Sequence, residues 1–299
     1  FSGLGLILKE GRVGDTVWVD GDGFTAAEEI AISFGTHKTI TTAKASNDGT
    51  FSVTFLVSTQ TQGTKVITAK GSSTTATGIF QVIPNIYHLS PLEGYICDII
   101  TLKGSGFTQG EKVTIHFGTH RTIATTTVLD SSGTFSLTFV VSTQPWDGSV
   151  ITAQSTSGRY ATTSFTIKSK INLLNPPKGV VGGLVTVAGA GFLGSQSLYL
   201  TFGKDSSILL GSTTPSGTFS VNFTVTTQPL GSTVITAYTG SVEATTTFFI
   251  LPKIYFLSPS SANVGEMVTL WGRGYSGQGE IRIDFGTYQT IATATPGTD

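Results

Sequence analysis

The 299-residue chain carries a formal net charge of −1, and charged residues make up only 12% of it. Lys and Arg are scattered singly, so no basic stripe could neutralise phosphates, and nucleic acid is excluded as an expected partner. The longest apolar stretch, 248–257, is interrupted by Pro252 and Lys253 and is too short for a membrane span. The single cysteine, Cys97, rules out an intrachain disulfide and disfavours a bridged vertebrate-type secreted domain.

The sequence repeats itself with a period of about 84 residues, which is the size of a small domain. Four dipeptides mark the same position in successive copies: Gly23-Phe24, Gly106-Phe107, Gly191-Phe192 and Gly274-Tyr275. The motif Gly-Thr-Phe-Ser begins at Gly49, Gly133 and Gly217, and the fourth copy stops before its equivalent. We therefore expect repeats at 1–84, 85–170 and 171–253, and the N-terminal part of an incomplete fourth repeat at 254–299.

Within the second repeat, turn residues separate seven short runs of β-forming residues. The runs lie near 86–90, 99–107, 112–118, 120–129, 133–142, 148–156 and 160–168. In the third run Val113, Ile115 and Phe117 alternate with polar residues, which indicates a half-buried strand. The pattern predicts an all-β chain of tandem immunoglobulin-like, seven-stranded sandwiches with Phe34, Phe117 and Phe202 in equivalent cores. Linkers are almost absent, so we expect stiff joints and a rod.

The fourth copy carries the clearest motif of the chain. It reads Ile254-Tyr255-Phe256-Leu257-Ser258-Pro259, then Gly265, then Val268-Thr269-Leu270-Trp271-Gly272-Arg273-Gly274-Tyr275, then Ile283-Asp284-Phe285-Gly286. This resembles the IPT/TIG family of immunoglobulin-like domains, and the second repeat matches it through Leu89-Ser90-Pro91. The third repeat departs at Asn175-Pro176, and the first has Ile7-Leu8 where Ser-Pro is expected. The resemblance implies the fold, and among the family's varied members a prokaryotic cell-surface protein fits best; it implies little about activity.

An acidic turn in the first repeat is a candidate metal site. Asp20 and Asp22, followed by Glu28 and Glu29, resemble a fragment of a calcium loop, because hard cations prefer several carboxylate oxygens. The full loop spacing is missing, and the positions aligned with Asp20 and Asp22 carry no acids in the other repeats, so an ordinary acidic turn is favoured and no metal or cofactor is expected. Asn222 opens a lone N-glycosylation sequon, and the Thr-rich faces could accept O-linked sugar.

Three other features were weighed as sites. His116 and His120 lie four residues apart, and His37 aligns with His120, but exposed turn residues are favoured over a metal site. Cys97 lacks a linked histidine and is interpreted as a packed or loop thiol. The motif Ser/Thr-Thr-Gln at Ser58, Ser142 and Thr226 is interpreted as a turn between the fifth and sixth strands rather than a ligand contact. No catalytic residues are expected, and the chain is not expected to be an enzyme.

These observations favour a structural module of an extracellular assembly, such as a surface-layer, filament or stalk protein. Its expected partners are other copies or neighbouring subunits of a surface assembly, and cell-wall or surface glycan. The alternatives are an adhesin or carbohydrate-binding rod and a non-catalytic arm of a secreted enzyme. The incomplete repeat should expose its core face, so either the natural chain continues or a neighbouring subunit donates strands, and the first is favoured because three strands are missing.

Overall fold

A computed structural model describes residues 4–146 and 149–297, and these residues contain strands and turns but no helix. Accordingly, the described part of the chain has no helix that is long and apolar enough to cross a membrane. The chain divides into two compact units. The first comprises 1–142 with 148–166, and the second comprises 143–147 with 167–299.

The first repeat forms two sheets from eight strands. These are β1 (Leu4–Leu6), β2 (Glu10–Gly11), β3 (Thr16–Gly21), β4 (Glu29–Phe34), β5 (His37–Lys44), β6 (Phe51–Leu56), β7 (Gly63–Lys70) and β8 (Thr75–Val82). One sheet has the order β1-β3-β6 and the other the order β2-β8-β7-β4-β5. The predicted opening strand is divided, because β1 pairs antiparallel with β3 while β2 pairs parallel with β8 of the opposite sheet.

The strands of the second repeat follow one another in the same order as those of the first. Its strands are β9 (Asn85–Ser90), β10 (Glu93–Gly94), β11 (Ile99–Ser105), β12 (Lys112–Phe117), β13 (His120–Thr127), β14 (Phe135–Val140), β15 (Val150–Ser155), β16 (Tyr160–Ser164) and β17 (Thr166–Ile167). The sheets have the orders β9-β11-β14 and β13-β12-β15-β16, and β10 pairs with β17. Each of the seven predicted runs contains a strand, and β16 and β17 together form the last one.

The third repeat again forms two sheets, whereas the fourth forms only two strand pairs. The strands of the third are β18 (Lys170–Asn175), β19 (Lys178–Val180), β20 (Leu184–Ala190), β21 (Ser197–Phe202), β22 (Asp205–Ser212), β23 (Phe219–Thr224), β24 (Gly231–Thr239) and β25 (Val242–Leu251). Its sheets have the orders β18-β20-β23 and β19-β25-β24-β21-β22. The fourth contains β26 (Lys253–Ser258), β27 (Thr269–Arg273), β28 (Ile281–Phe285) and β29 (Tyr288–Ala294), paired as β26-β27 and β28-β29.

This topology is immunoglobulin-like. The three-stranded sheet corresponds to strands A, B and E, and the five-stranded sheet to A′, G, F, C and C′. Alternation of apolar and Thr-rich positions places one face of each strand in the core and leaves the other in solvent. The fold class predicted from the sequence is therefore confirmed.

Each complete repeat has its own core built around three phenylalanines. Phe34, Phe117 and Phe202 are fully buried, as predicted. Each ring packs against one ring from the opposite sheet and one from the last strand, with centroids 5.2 to 6.0 Å apart. The buried clusters of the first and third repeats draw only on residues 17–82 and 185–250, respectively.

The fourth repeat has the matching inner face without its cover. Phe285 occupies the position of Phe202 but is 74% exposed, and Val268 is 46% exposed. The strands that would bring the two partner rings are not among β26 to β29. The apolar side chains predicted to lose their cover are thus partly or largely exposed in this structure.

Candidate functional site at the turn and joint of each repeat

A buried glutamine braces the tight turn between β4 and β5 of the first repeat. Gln60 follows β6 and is 2% exposed. Its side-chain nitrogen donates to the Phe34 carbonyl at 3.3 Å, and its oxygen accepts the Thr36 amide at 3.2 Å. The turn groups that the hairpin leaves unpaired are therefore satisfied by one side chain from the facing loop.

The third repeat builds the same brace. Gln228 is 2% exposed, donates to the Phe202 carbonyl at 3.0 Å and accepts the Lys204 amide at 3.3 Å. Gly203, in the turn, has a φ of +55°, and a Cβ at this position would lie 2.3 Å from the Gln228 oxygen. Only glycine fits there, which explains why Phe-Gly and Thr-Gln recur together in the sequence.

A second polar contact joins the same turn to the same loop. His37 Nδ1 lies 3.1 Å from Ser58 Oγ, and His120 Nδ1 lies 3.4 Å from Ser142 Oγ. In the third repeat Asp205 takes the histidine position and accepts a hydrogen bond from Thr226. His37 and His120, predicted to be exposed turn residues, thus lie at the first residue of their strands and hold the loop in place, whereas His116 lies within β12.

Removing the glutamine side chain that braces the turn should destabilise its repeat. We expect Gln228→Ala to lower the free energy of unfolding of the third repeat by about 1–3 kcal/mol, because the buried Phe202 carbonyl and Lys204 amide lose their partner. Chemical denaturation, monitored by a signal from residues of the third repeat, measures this change in the free energy of unfolding. Gln196→Ala, at an exposed position of the same repeat, should have an effect within about 0.5 kcal/mol. Equal effects of the two substitutions would contradict the brace.

In the first unit, the residues after Gln60 contact the second repeat. Gln62 Nε2 donates to Thr108 Oγ1 at 3.0 Å and to Ser157 Oγ at 3.3 Å. A Cβ placed on Gly133 would lie 2.9 Å from Thr61 Cα, and one on Gly106 would lie 2.7 Å from the Ile83 carbonyl oxygen. The loop and the last strand of the first repeat thus lie directly against the backbone of the second.

The second unit contains the equivalent contacts. The Trp146 amide donates to the Phe192 carbonyl at 2.9 Å, and the Leu230 amide donates to the Tyr275 carbonyl at 3.3 Å. Trp146 and Leu230 each stand two residues after the motif glutamine, as Gln62 does in the first repeat. The Ser/Thr-Thr-Gln loop is therefore a turn, as predicted from the sequence, and its end is also a joint to the next repeat.

A methyl group at the joint glycine should disturb the joint selectively. Gly106 and Gly110 have similar φ values of +76° and +82°, but a Cβ on Gly110 meets no atom within 4 Å. We expect both alanine variants to destabilise the second repeat by about 1–2 kcal/mol through backbone strain. Only Gly106→Ala should shift the NMR signals of the Gln62 side-chain amide and of residues 83–85. Identical spectral changes in both variants would show that Ile83 does not restrict this position.

The structure separates the three acidic residues weighed as a metal site. Asp20 and Asp22 line one groove, whereas the Glu28 carboxylate accepts the Thr25 amide and both the amide and the hydroxyl of Ser72. These bonds, with the Ser72 hydroxyl as the largest cause, lower the pKa of Glu28 below its ordinary value. Within 4–146 and 149–297, no three His, Cys, Asp or Glu side chains are grouped to hold a metal ion.

The remaining candidates lie on different elements of the fold. Asn222 is exposed on β23, and its side-chain oxygen accepts a hydrogen bond from Thr186 Oγ1 at 2.7 Å, so its sequon remains a prediction. Cys97 is an exposed loop thiol with a φ of +78°. His116 accepts the Thr122 amide at 3.2 Å and lies 3.2 Å from Gln154 Oε1, on the opposite side of a turn at Gly118 from His120.

Comparisons with protein-family models and with curated proteins each give no match. The IPT/TIG likeness therefore remains a resemblance carried by sequence motifs.

Several solved structures are similar at low identity. A tetra-tandem repeat from the extending region of a large adhesion protein is 16% identical over 84% of this chain and 74% of that chain, with a TM-score of 0.29. Invasin, a bacterial integrin-binding protein, is 15% identical over 88% of this chain and 63% of that chain, with a TM-score of 0.27. A Bacteroides ovatus protein of a mixed-linkage glucan utilization locus, SGBP-B, is 12% identical over 84% and 68%, with a TM-score of 0.26. Similarity at this level assigns no activity to the chain.

Proposed function

We propose that this chain is a structural module of an extracellular surface assembly, in which tandem immunoglobulin-like domains serve as spacers. The carrying observation is a joint that recurs three times. A Cβ on Gly106, Gly191 or Gly274 would lie only 2.7, 2.4 or 2.6 Å from the carbonyl oxygen of Ile83, Lys168 or Leu251, respectively. The backbone of each of these glycines therefore packs against the end of the last strand of the preceding repeat. A flexible linker would not hold two domains in such close contact.

The chemistry of the surface supports a spacer. Thr and Ser are the commonest residues at solvent-facing strand positions, and Thr favours extended backbone while both stay hydrated without charge. Stability divided among separate cores also suits a tandem array, because the loss of one domain leaves its neighbours intact.

The proposed role is non-catalytic. The carboxylates whose pKa is lowered have local structural causes: Glu28 through Ser72, Asp48 through the Ser46 hydroxyl and Glu266 through the Asn263 amide. The contacts of Asp48 and Glu266 lie within turns, and the contact of Glu28 with Ser72 joins two loops. The lowered pKa values thus have local structural causes.

Labelling of intact cells tests the proposed location. Antibodies raised against the purified chain should label unpermeabilised cells of the source organism. Labelling only after permeabilisation would contradict a surface role. Electron microscopy of the labelled material then distinguishes a layer, a filament and an isolated stalk.

A further inference from the structure

We propose that the first repeat carries a carbohydrate-binding groove beside Trp18 that takes a neutral oligosaccharide. The groove is lined by residues of β1, β3 and β6 and by the end of β5 with the turn that follows it. The inference goes beyond the spacer role, and its chemistry does not depend on that role. It assigns a recognition function to the first repeat.

Trp18 is held in place on the outer face of the β1-β3-β6 sheet. It is 47% exposed on β3, and its single indole N–H is shared between Ser52 Oγ at 2.6 Å and Asp20 Oδ1 at 3.2 Å. This shared hydrogen bond orients the ring before any ligand arrives, so little conformational freedom is lost on binding. A large exposed ring that is already ordered is a ready platform for the apolar face of a sugar.

The groove adjoins this ring through Asp20. It has a volume of about 710 Å³, and its polar lining comprises Asp20, Asp22, Lys44, Ser46, Thr50 and Ser52. Gly5 pairs with Asp20 and Gly21 follows it, so two neighbouring positions contribute no bulky side chain. The volume lies in the range of small-molecule sites.

The lining matches the hydrogen-bonding needs of sugar hydroxyls. Carboxylates accept, the lysine ammonium donates, and the Ser and Thr hydroxyls do both. Two carboxylates and one lysine line this groove, so its formal charge is negative. A polyanionic glycan would therefore be repelled, and a neutral oligosaccharide is favoured.

The fold does not require these residues. In the second repeat Thr101 and Lys103 stand at the positions of Trp18 and Asp20, opposite Thr138 and Ser136. Trp18 and Asp20 stand opposite Thr54 and Ser52 in the same register. The second repeat thus builds the same sheet with a threonine and a lysine, so the first repeat departs from the pattern where the groove lies.

Binding of the intact chain to immobilised neutral, amino-substituted and acidic oligosaccharides tests the inference. The wild type should bind members of the neutral set. Trp18→Thr, which installs the residue of the second repeat, should weaken this binding at least about tenfold. Asp20→Lys should weaken it as well, because it reverses a charge in the groove. Thermal melting confirms that both variants remain folded.

Trp271→Ala is the matched control, because this tryptophan is 46% exposed and is not among the residues that line the groove. It should bind like the wild type. The inference would be overturned if the wild type bound no neutral oligosaccharide or preferred the acidic set. Unchanged binding by Trp18→Thr would overturn it as well. Cell-surface labelling reports separately on the spacer proposal, so the two can fail independently.

Discussion

Replacing Phe117 by alanine is expected to lower the free energy of unfolding of the second repeat by about 3–5 kcal/mol. Phe117 is fully buried, and its ring packs edge-on against Phe139 at 6.0 Å and Phe165 at 5.7 Å. The substitution leaves a cavity at the contact between the two sheets, and the strands that carry these rings cannot collapse to fill it. Unfolding of the second repeat should therefore begin at markedly lower denaturant concentration.

The neighbouring repeats should remain folded, because their buried clusters contain none of the three rings. Hydrogen exchange read out repeat by repeat measures this directly. Phe202→Ala should destabilise the third repeat by a similar amount. The control Tyr160→Ala, at a side chain that is 64% exposed, should change the free energy of unfolding by about 0.5 kcal/mol or less. One indivisible transition for all repeats in every variant would contradict separate cores.

The second large effect concerns the fourth repeat of this chain. We expect amides of β26 to β29 to exchange at least about a thousandfold faster than those of β20 to β25. Phe285 is 74% exposed, whereas its equivalent Phe202 is fully buried beneath Phe223 and Phe248. At about 1.5–3 kcal/mol for each buried side chain, an uncovered face of several apolar residues forgoes on the order of 10 kcal/mol.

Hydrogen exchange of the 299-residue chain at neutral pH gives the comparison. The paired strands β24 and β25 provide the internal reference, because they occupy the same molecule and share nine pairs in their register. Comparable protection of β28 and β24 would show that the exposed face is covered in solution. A rise in protection with protein concentration would identify that cover as another copy of the chain.

The strands and cores were predictable from the sequence because alternation and turn residues are local signals. The pattern of Val113, Ile115 and Phe117 alone places one face of β12 in the core, and the burial of all three residues confirms it. The division of the opening strand was not predicted. It depends on which sheet each half pairs with, and periodicity within one strand carries no information on that choice.

The glutamine brace was visible in the sequence only as a recurrence. Ser/Thr-Thr-Gln repeats with the period of the domains, and a buried amide satisfying a facing turn is a contact across 26 residues. Repetition alone could not distinguish such a brace from a loop with a common shape. The joints and the groove beside Trp18 arise from approaches between distant strands and loops, and no local pattern encodes them.

Residual dipolar couplings of the first two repeats test most directly whether the joints fix one domain against the next. The Gln62 contacts and the close approach of Gly106 to Ile83 predict that the amides of 4–82, 85–142 and 149–166, which belong to one compact unit, fit one common alignment tensor. Two tensors of clearly different magnitude would contradict the account, because they would require the two repeats to move independently about the joint.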